Sequence, residues 1–237
     1  MNRIPLWPKE IENDIVTLTD SRLDHVKTVI KAKSQDRLRA LILNEGLTDL
    51  SILSIDDTAC KVRLLPCDQE GDRPWLHLII GVCRPPSMRK ILEHATATGA
   101  GSLSFVRTHL SEKSFEGSRF FREEEYLPLM LAGLAQSNQY YRLPTLTLYR
   151  SLQDSLQDLN SESLRLVLDR SAEQWIPVCA SKQIILALGP ERGWTEKELQ
   201  ILKSQGFLCS RISESTLRVE IAVFQAIGQL EWIRSAV

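Results

Sequence analysis

From residue 75 onward the chain repeats one pattern: a short, nearly unbroken apolar run, a turn, then apolar residues recurring every three or four positions. "WLHLIIGVC" (75–83) is the first such run, and Met88, Ile91, Leu92 and Ala95 follow it at helical spacing, with Ser87 as the expected N-cap. "SLSFVR" (102–107) precedes a polar loop and a second helical stripe of Leu127, Met130, Leu131 and Leu134. "TLTLY", "LRLVL", "IILAL" and "GFLC" supply further runs. A run with no polar alternation suits a strand buried on both faces, the condition of a parallel sheet covered by helices. The alternation therefore predicts an α/β fold with a mostly parallel sheet. A last helix is expected over about 217 to 234. Its stripe of Val219, Ala222, Val223, Ala226, Ile227 and Leu230, with Phe224 and Trp232 partly off it, fits either deep burial or a face shared with a second subunit.

The N-terminal part differs. Residues 12 to 65 read mostly as short strands, "RLRALIL", "LTDLSIL" and "ACKVRLL", separated by the turn signals "NEG" and "IDD". "PCDQEGDRP" (66–74) concentrates Pro, Gly and charge without periodicity and reads as a linker. The expected division is a β-rich domain over 1–71 and an α/β domain over 72–237. With 43% hydrophobic and 25% charged residues, disorder is not expected. Because 29 basic residues face 30 acidic ones, global charge gives no sign of nucleic acid. The five cysteines (Cys60, Cys67, Cys83, Cys179, Cys209) are odd in number and scattered, with no C-x-x-C and no His cluster, so neither a disulfide framework nor a metal site is expected. The start lacks a basic segment followed by an apolar core, and no apolar run approaches the roughly 18 residues that span a bilayer. A cytoplasmic protein with no membrane association is the expectation.

Chemistry concentrates at "IILALGPERGWTEKELQ" (184–200). Gly189 and Gly193 are four apart, with neither a G-x-G-x-x-G pattern nor a following Lys-Ser/Thr, which excludes the dinucleotide and Walker fingerprints. Thr195 and Glu198 form a T-x-x-E capping box, so a stiff Gly-Pro loop separates the strand from a helix beginning just after Trp194. In open α/β sheets ligands sit at that edge, and a loop with free backbone donors and acceptors suits the rim of a planar base; a plain connecting turn is the simpler alternative. "RISESTLRVEIA" (211–222) places a second polar loop at the same edge, with Arg218 and Glu220 just inside the last helix.

"LALGPERGWTEKEL" followed by "STLRVEIA" resembles the paired signature of the bacterial small-subunit ribosomal RNA uridine N3-methyltransferases, in the SPOUT class of trefoil-knotted methyltransferases, whose usual forms are close to "iGPEGG(f/l)s..E" and "vLR.ET". "HVKTVIKAK" (25–33), "SEKS" (111–114) and "AQSNQYYRLP" (135–144) resemble further segments of that family in the same order, over nearly the whole chain. The resemblance implies a PUA-like β-barrel that binds RNA at the N-terminus and a knotted domain that binds S-adenosyl-L-methionine. It also implies a homodimer joined through the knotted domain. Matched residue by residue, the cofactor loops would be Leu168 and Asp169; Leu188, Gly189, Pro190 and Gly193; and Ile212, Ser213, Thr216 and Leu217. The chain departs from the family at Arg192 (usually Gly), Ser213 (Gly), Ile221 (Thr), "ATATGAG" (95–101, lacking Glu-Leu-Gly) and Asn138-Gln139 (for an Arg). A cation at 192 has to point away from the cofactor, toward RNA or the second subunit, or else the pocket is altered.

The expected reaction is methyl transfer to N3 of a uridine in ribosomal RNA, either naked or in the small subunit. Arg218 would stabilise negative charge on a uracil oxygen, and Glu220 would orient Arg218. Lys27, Lys31, Arg84, Lys113 and Arg142 are the candidate RNA contacts, helped by a basic excess in 21–39 (Arg22, Lys27, Lys31, Lys33, Arg37, Arg39). Tyr140 and Tyr141 are candidates to stack on a flipped base or to pack in the core. The rival readings are a catalytically silent or retargeted RNA-binding relative, and an unknotted α/β enzyme that uses another nucleotide.

Overall fold

The structure, a computed structural model, describes residues 3–157, 159–178 and 183–235. Cys179 lies outside the described residues. The chain forms two compact units, Met1–Arg73 with Leu131–Leu143, and Pro74–Met130 with Pro144–Val237.

In the first unit, β1 (Ile4–Leu6), β2 (Ile15–Leu18), β3 (Arg37–Ile42), β4 (Gly46–Ile55) and β5 (Cys60–Leu65) form a sheet in the order β1-β3-β4-β5-β2. β1 runs parallel to β3 and the other pairs are antiparallel. The three runs singled out in the sequence are β3 to β5; β1 and β2 are too short to have shown alternation. Alternate residues Leu38, Leu50, Ile52 and Val62 turn to a core that also takes Ile4, Leu6 and Leu18. A short helix α1 (Ser21–Asp24) continues as a π-helical stretch, His25–Ile30, and adds Leu23 and Val26. A single cut near residue 72 omits Leu131–Leu143, which the fold gathers into this unit. Arg3 contributes to this: its N–H donates to Ala135 O at 2.7 Å, and its buried guanidinium donates to Ala40 O, Gln69 Oε1 and Asn138 O, while Asn44 N–H and Asp72 N–H donate to Tyr141 O and Gln139 O.

In the second unit, β6 (Leu76–Gly81), β7 (Ala100–Val106), β8 (Thr145–Tyr149), β9 (Leu164–Leu168), β10 (Ile184–Leu188) and β11 (Leu208–Ser210) form one sheet, ordered β11-β9-β10-β6-β7-β8, with every pair parallel. All five residues of β10 are buried, as its unbroken apolar run requires. Helices α2 (Pro85–Ala97), α4 (Leu152–Ser155), α5 (Glu196–Ser204) and α6 (Val219–Ser235) complete the α/β architecture, with the first part of α3 (Glu123–Gln136), whose residues from Leu131 on belong to the first unit. α4 and α5 join Ile79, Val167, Ile185 and Ala187 of the sheet in one apolar cluster through Leu152, Leu199 and Leu202, while α2 packs against α6.

The N-cap expected at Ser87 is corrected. α2 starts earlier, with Arg84 as N-cap and Pro85 and Pro86 in the first two positions, where a fixed φ is already helical and a missing N–H costs nothing. That leaves the Ser87 hydroxyl free to donate to Glu220 Oε2 at 2.8 Å.

Candidate active-site cavity

Parallel pairing aligns the C-terminal ends of three neighbouring strands: Leu168 of β9 pairs with Leu188 of β10 and with Ser210 of β11. The three loops leaving those ends enclose a cavity of about 480 Å³. Its volume lies in the range of small-molecule sites, roughly 300–1,000 Å³.

The loop after β10 is held at each of its first three residues. A Cβ on Gly189 would lie 2.6 Å from the Gly193 carbonyl carbon, so the two ends of the loop touch backbone to backbone. A Cβ on Gly81, at the end of β6, would lie 2.4 Å from Pro190 Cδ, so Pro190 rests directly on the neighbouring strand. Glu191 Oε1 accepts the Arg84 N–H at 2.9 Å, tying the loop to the start of α2. Gly193, at φ +74°, donates its N–H to Pro190 O at 2.8 Å and closes the turn. The capping box then forms as its spacing predicts. Thr195 Oγ1 accepts the Glu198 N–H at 3.3 Å, and Glu198 Oε2 accepts the Thr195 N–H at 2.8 Å. The other oxygen of buried Glu198 accepts the His109 N–H at 2.8 Å, fixing the loop after β7 as well.

The loop after β9 is an Asx turn: Asp169 Oδ1 accepts the Ser171 N–H at 2.7 Å and its hydroxyl at 2.5 Å. In the loop after β11, Ser213 Oγ accepts the Ser215 N–H at 3.0 Å, and Ile212 O accepts from Gln225 and Gln229 of α6. Arg170 Nη1 donates to Thr216 Oγ1 at 2.8 Å, which joins these two loops across the cavity.

All ten residues matched to the cofactor loops (Leu168, Asp169, Leu188, Gly189, Pro190, Gly193, Ile212, Ser213, Thr216, Leu217) line this cavity. Sequence reasoning missed Arg170, Ser171, Trp194, Ser210 and Arg211, which line it too. Their neighbours in sequence signalled the strand ends, but a side chain's direction out of a loop has no periodicity to reveal it. Two donors on this wall are orphans: Trp194 Nε1 and Arg211 Nε are buried and have no hydrogen-bond partner among the described residues.

Arg218, immediately before α6, and Glu220, in its first turn, alternate with the lining residues Leu217, Val219 and Ala222 but do not themselves line the cavity. Arg218 is exposed. Glu220 is buried, and its carboxylate is engaged by Ser87 and stands 4.0 Å from Lys90 Nζ. Burial pushes its pKa up, but its own backbone N–H, Ser87, Lys90 and Arg218 together outweigh burial and hold the carboxyl below its ordinary value. Glu220 is thus a fixed anion, and it reaches Arg218 through charge; among the described residues no hydrogen bond joins the two. Cys83, buried nearby, has its thiol pushed up by burial and by the charges of Glu191 and Glu220, so it stays protonated and inert.

The expected RNA contacts are scattered. In the first unit Lys31 is exposed, while Lys27 pairs with Asp57 at 2.7 Å and Arg142 lies over the Tyr141 ring. In the second unit Arg84 and Lys113 are exposed. Arg22 drops out of the basic segment, because its guanidinium is tied to Glu10, Asp20 and Pro5 O. Tyr140 is buried, and the Tyr141 ring covers Gly71. Among the described residues there is no group of three or more His, Cys, Asp or Glu arranged to hold a metal, and no helix is long and apolar enough to cross a membrane.

Residues 71–231, the greater part of the chain and nearly all of the second unit, match the family model of the RNA methyltransferase domain. The chain belongs to that family. It is 28% identical over 214 residues to ribosomal RNA small subunit methyltransferase E 1 of Borreliella burgdorferi, covering 89% of this chain and 90% of the relative. It is also 28% identical over 222 residues to ribosomal RNA small subunit methyltransferase E of Treponema pallidum, covering 90% and 83% of the two chains. In fold it is similar to the crystal structure of ribosomal RNA small subunit methyltransferase E from Neisseria gonorrhoeae bound to S-adenosyl methionine, with a TM-score of 0.81, 18% identity and 98% of each chain covered. The α/β reading of the second unit and the expected family resemblance both hold.

Proposed function

We propose that this RNA methyltransferase family member transfers a methyl group from S-adenosylmethionine to N3 of a uridine in small-subunit ribosomal RNA. The observation that carries the reading is the convergence of three loops, distant in sequence, on one cavity lined by all ten matched positions. The wall fits a nucleoside carrying an amino acid. Leu168, Leu188, Ile212 and Leu217 supply apolar contact for a flat base. The loop amides and hydroxyls offer polar partners to its edge, and the orphaned Trp194 and Arg211 N–H groups ask for acceptors. Bound there, the cofactor would supply an electrophilic sulfonium methyl.

The chain's own work is positioning and charge. Uridine N3 carries an imide proton and is a nucleophile only once that proton has gone to solvent, which throws negative charge onto the uracil oxygens; the N3–methyl bond would form as the sulfur–methyl bond breaks and S-adenosylhomocysteine leaves. Arg218, exposed beside the cavity and followed two residues later by buried anionic Glu220, is the cation that stabilises this charge. A donor aimed at developing oxyanion charge contributes about 3–4 kcal/mol. The clamped loops hold the reactants in line, an effect that can reach roughly 7–11 kcal/mol.

On the same reading the second unit is the trefoil-knotted domain and the first a PUA-like RNA-binding barrel. The protein would work in the cytoplasm as a homodimer through the knotted domain. Trp232 and Ile221 on α6, 67% and 46% exposed, support a partner on that helix.

The test is incubation with labelled S-adenosylmethionine and either naked ribosomal RNA or isolated small subunits, followed by mass spectrometry of the nucleosides. Label in N3-methyluridine is expected. Tight binding of S-adenosylhomocysteine with no transfer to any RNA refutes the enzyme and leaves the silent relative. Arg218→Ala is expected to lose at least 100-fold in transfer while binding S-adenosylhomocysteine normally.

A further inference from the structure

The cavity wall carries three arginines and two carboxylates, Arg170, Arg192, Arg211, Asp169 and Glu191. Four of these five charges are already engaged. Arg170 is bonded to Thr216, and Arg211 lies with its guanidinium carbon 4.8 Å from the centre of the Trp175 ring. Asp169 accepts from Ser171, and Glu191 accepts from Arg84 N–H. Arg192 alone is unspent: it is exposed and makes no hydrogen bond or ion pair with any described residue.

Its backbone is nevertheless held firmly. It occupies the third position of the turn closed by Gly193 N–H to Pro190 O, in a loop packed backbone to backbone on itself and on β6. A free guanidinium on a clamped turn loses little backbone entropy when it pairs, and its planar fork matches the two free oxygens of a phosphodiester. Arg192 is also exposed, whereas the orphaned donor atoms suited to a ligand inside the cavity, on Trp194 and Arg211, are buried.

We infer that Arg192 is an RNA-positioning residue: its guanidinium pairs with a backbone phosphate of the substrate strand at the cavity rim and holds the target nucleotide over the opening. This rests on the RNA methyltransferase reading above. The side chain that departs from the family's glycine is then not damage to the pocket but an added contact with the substrate.

The test compares wild type, Arg192→Ala and Arg192→Lys. Affinity for a labelled uridine-containing RNA oligonucleotide is measured from low to moderate salt, with S-adenosylhomocysteine affinity and self-association measured alongside. Arg192→Ala should weaken RNA binding roughly 5- to 10-fold near 0.1 M salt and reduce the slope of log K against log salt by about 0.7–0.9, the loss of one phosphate contact. Arg192→Lys should keep the slope, and S-adenosylhomocysteine affinity should stay within about twofold of wild type in both variants. Unchanged RNA affinity and slope in Arg192→Ala overturn the inference. So does a tenfold loss of S-adenosylhomocysteine affinity, which would assign the guanidinium to the small ligand, or weakened self-association with RNA affinity intact, which would assign it to a second copy. Failure of the wild type itself to bind RNA refutes the functional reading, a result distinct from all of these.

Discussion

Gly189→Ala tests whether the cavity depends on the clamped loop. The added Cβ would stand 2.6 Å from the Gly193 carbonyl carbon, 2.8 Å from its Cα and 2.9 Å from its oxygen. Ordinary contact between such atoms begins near 3.5 Å, so the two ends of the loop must separate by roughly 1 Å. All three opposing atoms are backbone, and no rotamer change relieves them. Pro190 cannot retreat toward β6, because Gly81 is already packed against it. Overpacking of this kind costs about 1–3 kcal/mol, which for a chain of this size lowers Tm by roughly 2–12 °C. Binding should suffer separately, since displacing Gly189 and Gly193 moves two residues of the wall and strains the Gly193 N–H to Pro190 O bond. A tenfold or greater loss of S-adenosylhomocysteine affinity, equivalent to about 1.4 kcal/mol, is expected by calorimetry. Gly46→Ala, with nothing within 4 Å of the new Cβ, is the control and should leave binding untouched. If Gly189→Ala keeps both wild-type Tm and wild-type affinity, the loop is slack and the account of the cavity built on it is wrong.

Three further outcomes are expected. His77 of β6, 2.8 Å from Ser104 Oγ, has its pKa pushed down to about 4 by burial, so the folded state resists a proton that the unfolded chain accepts near 6.5. The stability this neutral ring permits is complete above pH 6.5 and falls as pH drops toward 4, by up to about 3 kcal/mol; urea midpoints of His77→Gln should fall less over that range. Glu10 and Asp20 are held below their ordinary carboxyl values, Glu10 against burial by Arg22 and the Trp7 N–H, and Asp20 chiefly by its bond to Arg22. Their contribution is present above the ordinary carboxyl range and lost as pH falls through the depressed values, so Glu10→Gln should destabilise by about 1–3 kcal/mol at pH 7 and by progressively less as pH is lowered below the ordinary carboxyl range in chemical denaturation. Thr195→Ala removes the cap of α5 and should cost about 1 kcal/mol; Glu198→Ala, which also strands the His109 N–H, should cost more, read from the same denaturation curves.

β10 was legible because burial on both faces leaves an unbroken apolar run, and the more mixed runs at 145–149 and 164–168, like 184–188, match their strands residue for residue. The capping box was legible because its hydrogen bonds are local. Elsewhere the deciding contacts span long stretches of chain. Ser87 looked like an N-cap because Ser is good at capping, but Pro85 and Pro86 started the helix first and its hydroxyl went to a residue 133 positions away. Leu131–Leu143 joins the first unit partly through Arg3, and nothing in either local stretch announces that bond. Arg22, counted with the RNA-facing cations, is spent on Glu10 and Asp20 inside its own unit.

The same distinction orders the departures from the family pattern. Where the chain keeps the family residue, Gly189 approaches Gly193 backbone to backbone and Gly193 has a positive φ, so a side chain at either is strained, while Pro190 packs directly on Gly81 of β6. At Ile221, Arg192, Ser213 and Asn138-Gln139 the new residue is exposed or is accommodated by local hydrogen bonds, whereas the departure at 95–101 places Ala95, Thr96 and Ala100 in buried positions. Ile221 is 46% exposed and Arg192 lies on the surface of its turn. Ser213 closes the third loop by accepting the Ser215 N–H. Asn138 and Gln139 act through their carbonyls, which accept from Arg3, Gln69 and Asp72, so their side chains are free to differ. Sequence change has therefore collected where it leaves the clamped loop undistorted. Gly189→Ala against Arg192→Ala separates the clamped loop from the side chain it carries: the first should lose the small ligand, the second only the RNA.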